Sequence, residues 1–272
     1  MELLLDRISF SYSGTDRKIF SGVNFAVKRG EVFCLLGPNG CGKTTLLNCI
    51  SGLLKVDKGK ISVDGDNIYS MEKRKLAQYI GYVPQYHHPT YNYTVREFVV
   101  LGRSPYISLF GRPNRHDYQL ADEAIEALNI NYLRDKSYLQ ISGGERQLAL
   151  FARTLTQQPS FILLDEPTAS LDFGNQLKIV SLTRQLADMG FAIIMTTHHP
   201  DHALSVADYV CIMHEGEIIA LGKPEEVMTE SILTKIYRTR VIMAHIKSIG
   251  RFVCVPVEEK PFSSLKNHCV GG

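Results

Sequence analysis

The polarity pattern changes character several times along the chain. Near its start "ELLLDRISFSYSG" alternates apolar and polar positions with β-branched and aromatic residues, which predicts an edge strand running into a turn. "GEVFCLLG" is apolar without alternation, the pattern of a strand covered on both faces, and "SFILLD" and "FAIIMTTH" repeat it later. Between those two, "FGNQLKIVSLTRQLADMG" spaces its apolar residues as an amphipathic helix and closes at Gly190. Strand, helix and strand in that order predict a parallel sheet with right-handed crossovers. From about residue 88 to 155 the periodicity is helical, in "TVREFVVLG", "HDYQLADEAIEALNI" and "GERQLALFARTLTQQ", with no strand run among them. This predicts a helical insert within an α/β core. Past about residue 240, "RVIMAHIKSIGRFVCVPV" reads as a short hairpin and "EEKPFSSLKNHCVGG" as a loose tail.

Composition narrows the classes. Thirty basic against twenty-eight acidic side chains leave a net charge of +2, too balanced to argue for nucleic acid or an anionic membrane surface. Six cysteines form no CxxC pair and no metal-ligand spacing, as expected of reduced thiols in a cytoplasmic protein. The opening "MELLLDRISF" breaks its apolar run with Asp6 and Arg7 and does not have the form of a signal peptide. No run of about 18 apolar residues is present, so any membrane role requires a partner chain.

The first chemistry lies in "LLGPNGCGKTTLL", where Gly37, Pro38, Asn39, Gly40, Cys41, Gly42, Lys43 and Thr44 separate a buried-strand run from the helical "KTTLLNCISGLL". Glycines at this corner let successive backbone N–H groups converge on phosphate oxygens, and the start of the helix adds partial positive charge. Lys43 is expected to reach the β- and γ-phosphates, and the Thr44 hydroxyl to bind Mg²⁺. Thr45 is expected to cap the helix and bond the α-phosphate. Cys41 sits inside the loop, where thiol reagents are expected to block nucleotide.

"FILLDEPTASLD" ends a buried strand on two adjacent carboxylates. Asp165, at the strand's carboxyl end, is placed for the magnesium shell. Glu166, stopped by Pro167, is placed to act as general base on an attacking water. His198 ends "AIIMTTH" on the same edge of the sheet, and it is preferred over His199 as the group that contacts the γ-phosphate.

"ISGGERQ", Ile141 to Gln147, resembles the LSGGQ signature of the ABC ATPases, with Ile for Leu and Glu for Gln. Nearly the whole chain to about residue 240 then falls into the order of that family. The resemblance implies an α/β P-loop NTPase with a RecA-like parallel-sheet core, an N-terminal antiparallel β subdomain and a helical insert. Residues 1–240 would be the nucleotide-binding domain, with its core at 1–87 and 156–240 and the insert at 88–155, followed by a short extension at 241–272. Tyr12 takes the place of the aromatic that stacks on adenine. Gln85, in "YVPQ", takes the place of the hinge glutamine that meets the metal and the attacking water, and Asp172, in "SLD", that of the loop crossing a dimer interface. Two copies would dock head to tail, with each ATP between one copy's phosphate loop and the other's Ser142, Gly143 and Gly144.

The insert region "TVREFVVLGRSPYISLFGRPNRHD" is similar to that of the ATPases serving iron–siderophore, haem and cobalamin importers and their molybdate-carrying relatives. That likeness implies polytopic permease subunits as partners, a solute-binding protein indirectly, and a peripheral position at the cytoplasmic face of the membrane. A groove near Gln85 to His88 and Leu101 to Tyr106 would take a short helix of the permease, with Tyr86, His87 and His88 along it. The alternative is a soluble ABC ATPase of translation or DNA repair. Such a protein would carry two cassettes, or a coiled-coil or zinc insertion, and a P-loop kinase or GTPase would lack ISGGERQ.

Overall fold

The computed structural model describes residues 1–14, 18–87, 91–108 and 110–257. Its centre is a six-stranded sheet made of β3 (Val32–Leu36), β6 (Ile80–Val83), β7 (Phe161–Leu164), β8 (Ala192–Thr197), β9 (Tyr209–His214) and β10 (Glu217–Gly222), in the order β10-β9-β3-β8-β7-β6. Strands β9, β3, β8, β7 and β6 run parallel, and β10 pairs antiparallel with β9. The unbroken apolar runs are explained by the two cores they serve. Val32, Cys34, Leu36, Ile162, Leu164, Ile193 and Met195 face one cluster, while the alternate Phe33, Leu35, Phe161, Leu163, Ala192 and Ile194 face the other. A strand with period-two side chains and an apolar layer on each face reads as a continuous apolar run, interrupted in β8 only at its carboxyl end by Thr196 and Thr197.

One layer is a four-stranded antiparallel sheet of β1 (Glu2–Ser11), β2 (Lys18–Lys28), β4 (Lys58–Val63) and β5 (Asp66–Asn67), together with α1 (Lys43–Ile50) and α2 (Lys73–Tyr79). Strand β1 pairs with both β2 and β4, so it lies inside this sheet and is not the edge its pattern suggests. Alternation reports that one face is buried, here Leu3, Leu5, Ile8 and Phe10, and carries no information about lateral neighbours.

The other layer holds α6 (Phe173–Asp188), α7 (Pro200–Val206), α8 (Pro224–Val227) and α9 (Glu230–Tyr237), with the helices of the region read as the insert. These are α3 (Val95–Val100), α4 (Arg115–Ala127) and α5 (Gly143–Thr156), which pack on one another around Phe98, Val99, Ile125 and Phe151. Both α3 and α4 open with complete capping boxes, at Thr94/Glu97 and Asn114/Asp117. A 3-10 turn at Leu101–Tyr106 closes onto α5, where a Cβ on Gly102 would lie 2.1 Å from Arg153 O. The buried Arg103 fixes that turn by bonding Asp117 and the Thr156 carbonyl. Strands β11 (Val241–Ile246) and β12 (Arg251–Pro256) form the expected hairpin, and β12 packs on α7. The expected tail lies outside the described residues. Among the described residues no helix is long and apolar enough to cross a membrane.

Candidate functional site

Strand order assembles the site. Because β3, β8, β7 and β6 are neighbours and parallel, the residues just past their carboxyl ends share one edge of the sheet. These are Gly37 after β3, His198 after β8, Asp165 and Glu166 after β7, and Gln85 beyond β6. A cleft of 360 Å³ opens there, lined by Ile19, Asn39, Gly40, Gly42, Lys43, Thr44, Thr45, Gln85, Tyr86 and Glu166.

The loop fits an anion for reasons of its own packing. Gly42 occupies the N-cap of α1 with φ 106° and gives no side-chain cap, so the first N–H groups of that helix are left for a ligand. A Cβ on Gly37 would sit 2.3 Å from Met213 O, which fixes glycine there by close approach. Thr45 does not cap the helix. It sits three residues into the helix, past the cap position Gly42 already fills, and its hydroxyl lies 3.2 Å from the Tyr12 hydroxyl. Tyr12 is exposed and meets Phe10 edge-on, with ring centroids 5.0 Å apart. Tyr12→Ala is expected to weaken ATP binding by about 1–3 kcal/mol if the ring stacks on the base. Titration with a fluorescent ATP analogue measures this, and unchanged affinity would reduce Tyr12 to a surface residue.

Lys43 is buried, with its ammonium donating to Gly37 O at 2.8 Å and Pro38 O at 3.1 Å. It also lies 3.3 Å from Glu166 Oε1. The other carboxylate oxygen of Glu166, Oε2, accepts from Gln85 Nε2 at 3.2 Å and meets His198 Nδ1 at 3.1 Å. The lysine that opens α1, the glutamine beyond β6 and the histidine after β8 thus converge on one glutamate. Glu166 has φ 44°, left-handed for a residue with a Cβ, which costs about 1–3 kcal/mol. Its N–H donates to the fully buried Thr196 hydroxyl at 2.8 Å, and that hydroxyl donates to Asp165 Oδ1, also at 2.8 Å. Asp165 further accepts from Thr44 Oγ1 at 2.9 Å and from the Tyr82 hydroxyl at 3.1 Å. Burial, then the Asp165 charge, pushes the Tyr82 phenol above its ordinary range, so it remains a donor.

Thr196 and Tyr82 escape the sequence reading. Each is a hydroxyl within a strand, and only the strand beside it reveals its task. Two of the three expected metal ligands, Thr44 and Asp165, are in contact, and a hydroxyl beside a carboxylate suits a hard cation that keeps several waters. Gln85, also expected there, bonds Glu166 instead. Among the described residues no group of three or more His, Cys, Asp or Glu could hold a metal, so a cation here would depend on the phosphates for further ligands.

Two features of Cys41 act against the expected reaction with thiol reagents. It is buried behind Gly37, and burial raises its thiol pKa more than the Lys43 charge lowers it. His87 turns into the insert, between Phe98 and the Tyr138 hydroxyl, and leaves Tyr86, Leu101 and Tyr106 as the exposed large apolar groups along the expected groove. His88 lies outside the described residues.

Ser142, Gly143 and Gly144 do not line the cleft. Ser142 caps α5, and its capping box uses Glu145, the residue standing where the signature has glutamine. Gly144 sits against Asn175, whose N–H and side chain both bond Asp172. The serine–glycine tip and Asp172 therefore form a second assembly, built on the first turns of α5 and α6.

The sequence model of the ABC transporter family matches residues 20–169, more than half of the chain. The petrobactin import ATP-binding protein FpuC of Bacillus anthracis is 36% identical over 231 residues, covering 85% of each chain. The molybdate import ATP-binding protein MolC of Haemophilus influenzae is 34% identical over 236 residues, 86% of this chain and 87% of that one. A solved metal-chelate type ABC transporter in an inward-facing conformation superposes with a TM-score of 0.83 at 32% identity, across 94% of this chain and 97% of that one.

Proposed function

Since the chain belongs to the ABC transporter ATPase family, we propose that it powers an importer of a metal chelate (iron–siderophore, haem or cobalamin) or of a related oxyanion such as molybdate. The observation that carries the catalytic part is the convergence of Lys43, Gln85 and His198 on the Glu166 carboxylate. In this reading Glu166 takes the proton of the attacking water, while Gln85 and His198 orient that water and the carboxylate. Thr196 keeps Glu166 in its left-handed turn, and Lys43 moves from Glu166 toward the γ-phosphate as nucleotide enters. Thr44 and Asp165 would hold Mg²⁺, which when bound neutralises charge on the β- and γ-phosphates.

The separation of the Ser142–Gly144 tip from the cleft supports a composite site. An N-terminal helix end beside Asp172 is an anion-binding half, and a second copy docked head to tail would bring it over the first copy's phosphate loop. ATP would then favour the closed pair, and its hydrolysis would release it. Work on the permease comes from that difference in affinity between closed and open forms. The exposed Tyr86, Leu101 and Tyr106 offer an aromatic and aliphatic rim for a permease helix at the cytoplasmic face of the membrane. The soluble alternative gains no support from the named relatives.

Copurification from solubilised membranes tests the assignment. A polytopic permease is expected to come down with the tagged chain, and a strain lacking the chain is expected to lose uptake of one of these cargoes. An active ATPase that recovers no polytopic protein, in a strain with unchanged uptake, would overturn it.

A further inference from the structure

The peptide that follows β8 is tied from two sides by the C-terminal region. Thr197 O accepts from Gly37 N at 3.4 Å, and the Thr197 hydroxyl accepts from His199 N at 3.0 Å. His198, between them, has left the sheet, and its carbonyl accepts a hydrogen bond from the Tyr237 hydroxyl on α9 at 2.9 Å. Three residues further on, Asp201 Oδ1 accepts from Cys254 N of β12 at 2.8 Å. Helix α9 is itself joined to the hairpin, with Val241 N donating to Thr234 Oγ1 and Met243 N to Glu230 Oε1. Val241 is buried, and Met243 and Cys254 pack against the same core as Tyr237. Tyr237 also lines a 440 Å³ recess with Pro38, Asn39, Gly40 and Cys41, so it faces the outer flank of the phosphate loop.

We propose that Tyr237 is a positioning residue for ATP hydrolysis: its hydroxyl fixes the His198 peptide so that the imidazole keeps its place against Glu166. The proposal rests on the reading of Glu166 and His198 as the hydrolytic pair. Thr197 holds the N–H end of the peptide that follows His198 and Tyr237 holds its carbonyl end, so loss of the Tyr237 bond would leave that peptide held at one end and let it swing the Cα–Cβ bond and with it the imidazole. The His198 ring packs on His199 with centroids 4.1 Å apart, and His199 meets His202 at 4.8 Å, while the hydrogen bond to the His198 carbonyl comes from Tyr237. Burial holds the Tyr237 phenol above its ordinary range, which favours the protonated form that donates to the carbonyl. In this way the helix and hairpin after residue 229 become part of the catalytic apparatus without touching nucleotide.

Tyr237→Phe in the full chain keeps the ring and removes only the donor. The expected result is a fall in kcat of roughly three- to tenfold, the scale of one hydrogen bond acting on a barrier, with KM for ATP unchanged. The thermal midpoint should stay within about 3 °C of the parent, and the ¹⁵N resonances of the His198 imidazole should shift in histidine-labelled protein. His198→Ala is assayed beside it. If that variant retains full turnover, the hydrolytic reading itself is wrong. If His198→Ala stops turnover while Tyr237→Phe has normal kcat and unmoved imidazole resonances, the positioning role alone is overturned. A fall in kcat accompanied by an equal loss of folded protein, with the imidazole unmoved, would likewise overturn it.

Discussion

Glu166→Gln is expected to leave ATP binding intact and to cut turnover by about 10²- to 10⁴-fold, the contribution of a positioned general base. The geometry explains why binding survives. The glutamine carbonyl can turn toward Gln85 Nε2 and His198 Nδ1, which both lie near Oε2 now, and this places the amide NH₂ toward Lys43. The ion pair at 3.3 Å is lost, yet Lys43 keeps its carbonyl partners Gly37 and Pro38 and is freer to turn to phosphate. Affinity should therefore be equal or higher. With hydrolysis stopped and nucleotide held, the ATP-bound pair of copies should accumulate, visible by light scattering as a doubling of mass that ADP does not produce. A variant that hydrolyses ATP at close to the parental rate would show that another group takes the proton. A fully inactive variant that stays monomeric with saturating ATP would instead count against the composite site.

What the sequence discloses and what it hides divide along a physical line. Motifs confined to one turn are legible: the phosphate loop, the carboxylates after β7 and the serine–glycine helix tip each carry their chemistry within a few consecutive residues. The continuous runs of β3, β7 and β8 are legible too, because burial on two faces favours apolar residues at nearly every position. Other strands carry no such mark of their own. "IGYV" is too short to stand out, and "YVCIMH" is a buried run that only its pairing with β3 identifies as part of the sheet. The supporting hydroxyls are the least legible. Thr196 lies 31 residues from Asp165, Tyr82 lies 83 from it, and Tyr237 lies 39 from His198, so nothing local signals their use. Glu145 shows the converse. As a departure from the signature it looks neutral, whereas its carboxylate closes the capping box on Ser142 N at 2.8 Å and is held below the usual carboxylate range chiefly by that backbone bond.

Lys43→Ala should have the larger effect on binding, because two losses act in the same direction. One is direct: the buried ammonium that would reach the β- and γ-phosphates is gone. The other is electrostatic. Among the buried charged groups Lys43, Asp165 and Glu166, one cation and two anions sum to −1, and without the lysine the sum is −2 facing a polyanion. Truncating one member of a buried, hydrogen-bonded charge pair costs about 2–5 kcal/mol, so ATP affinity should fall by roughly two orders of magnitude or more. Folding should suffer as well, since Glu166 is left buried with only Gln85 and His198 beside it, and losses of about 3–5 kcal/mol are typical of such broken pairs. The double variant Lys43→Ala/Glu166→Gln separates the two effects. It removes the orphaned charge and should recover much of the thermal midpoint, because residues in contact are not additive. Binding should not recover, because the ammonium is still absent. Calorimetric titration of both variants, read beside their unfolding curves, decides the matter. If Lys43→Ala binds ATP as tightly as the parent, the loop at the end of β3 is not the phosphate cradle. If the double variant regains affinity along with stability, Lys43 acts only as a structural counter-ion to Glu166.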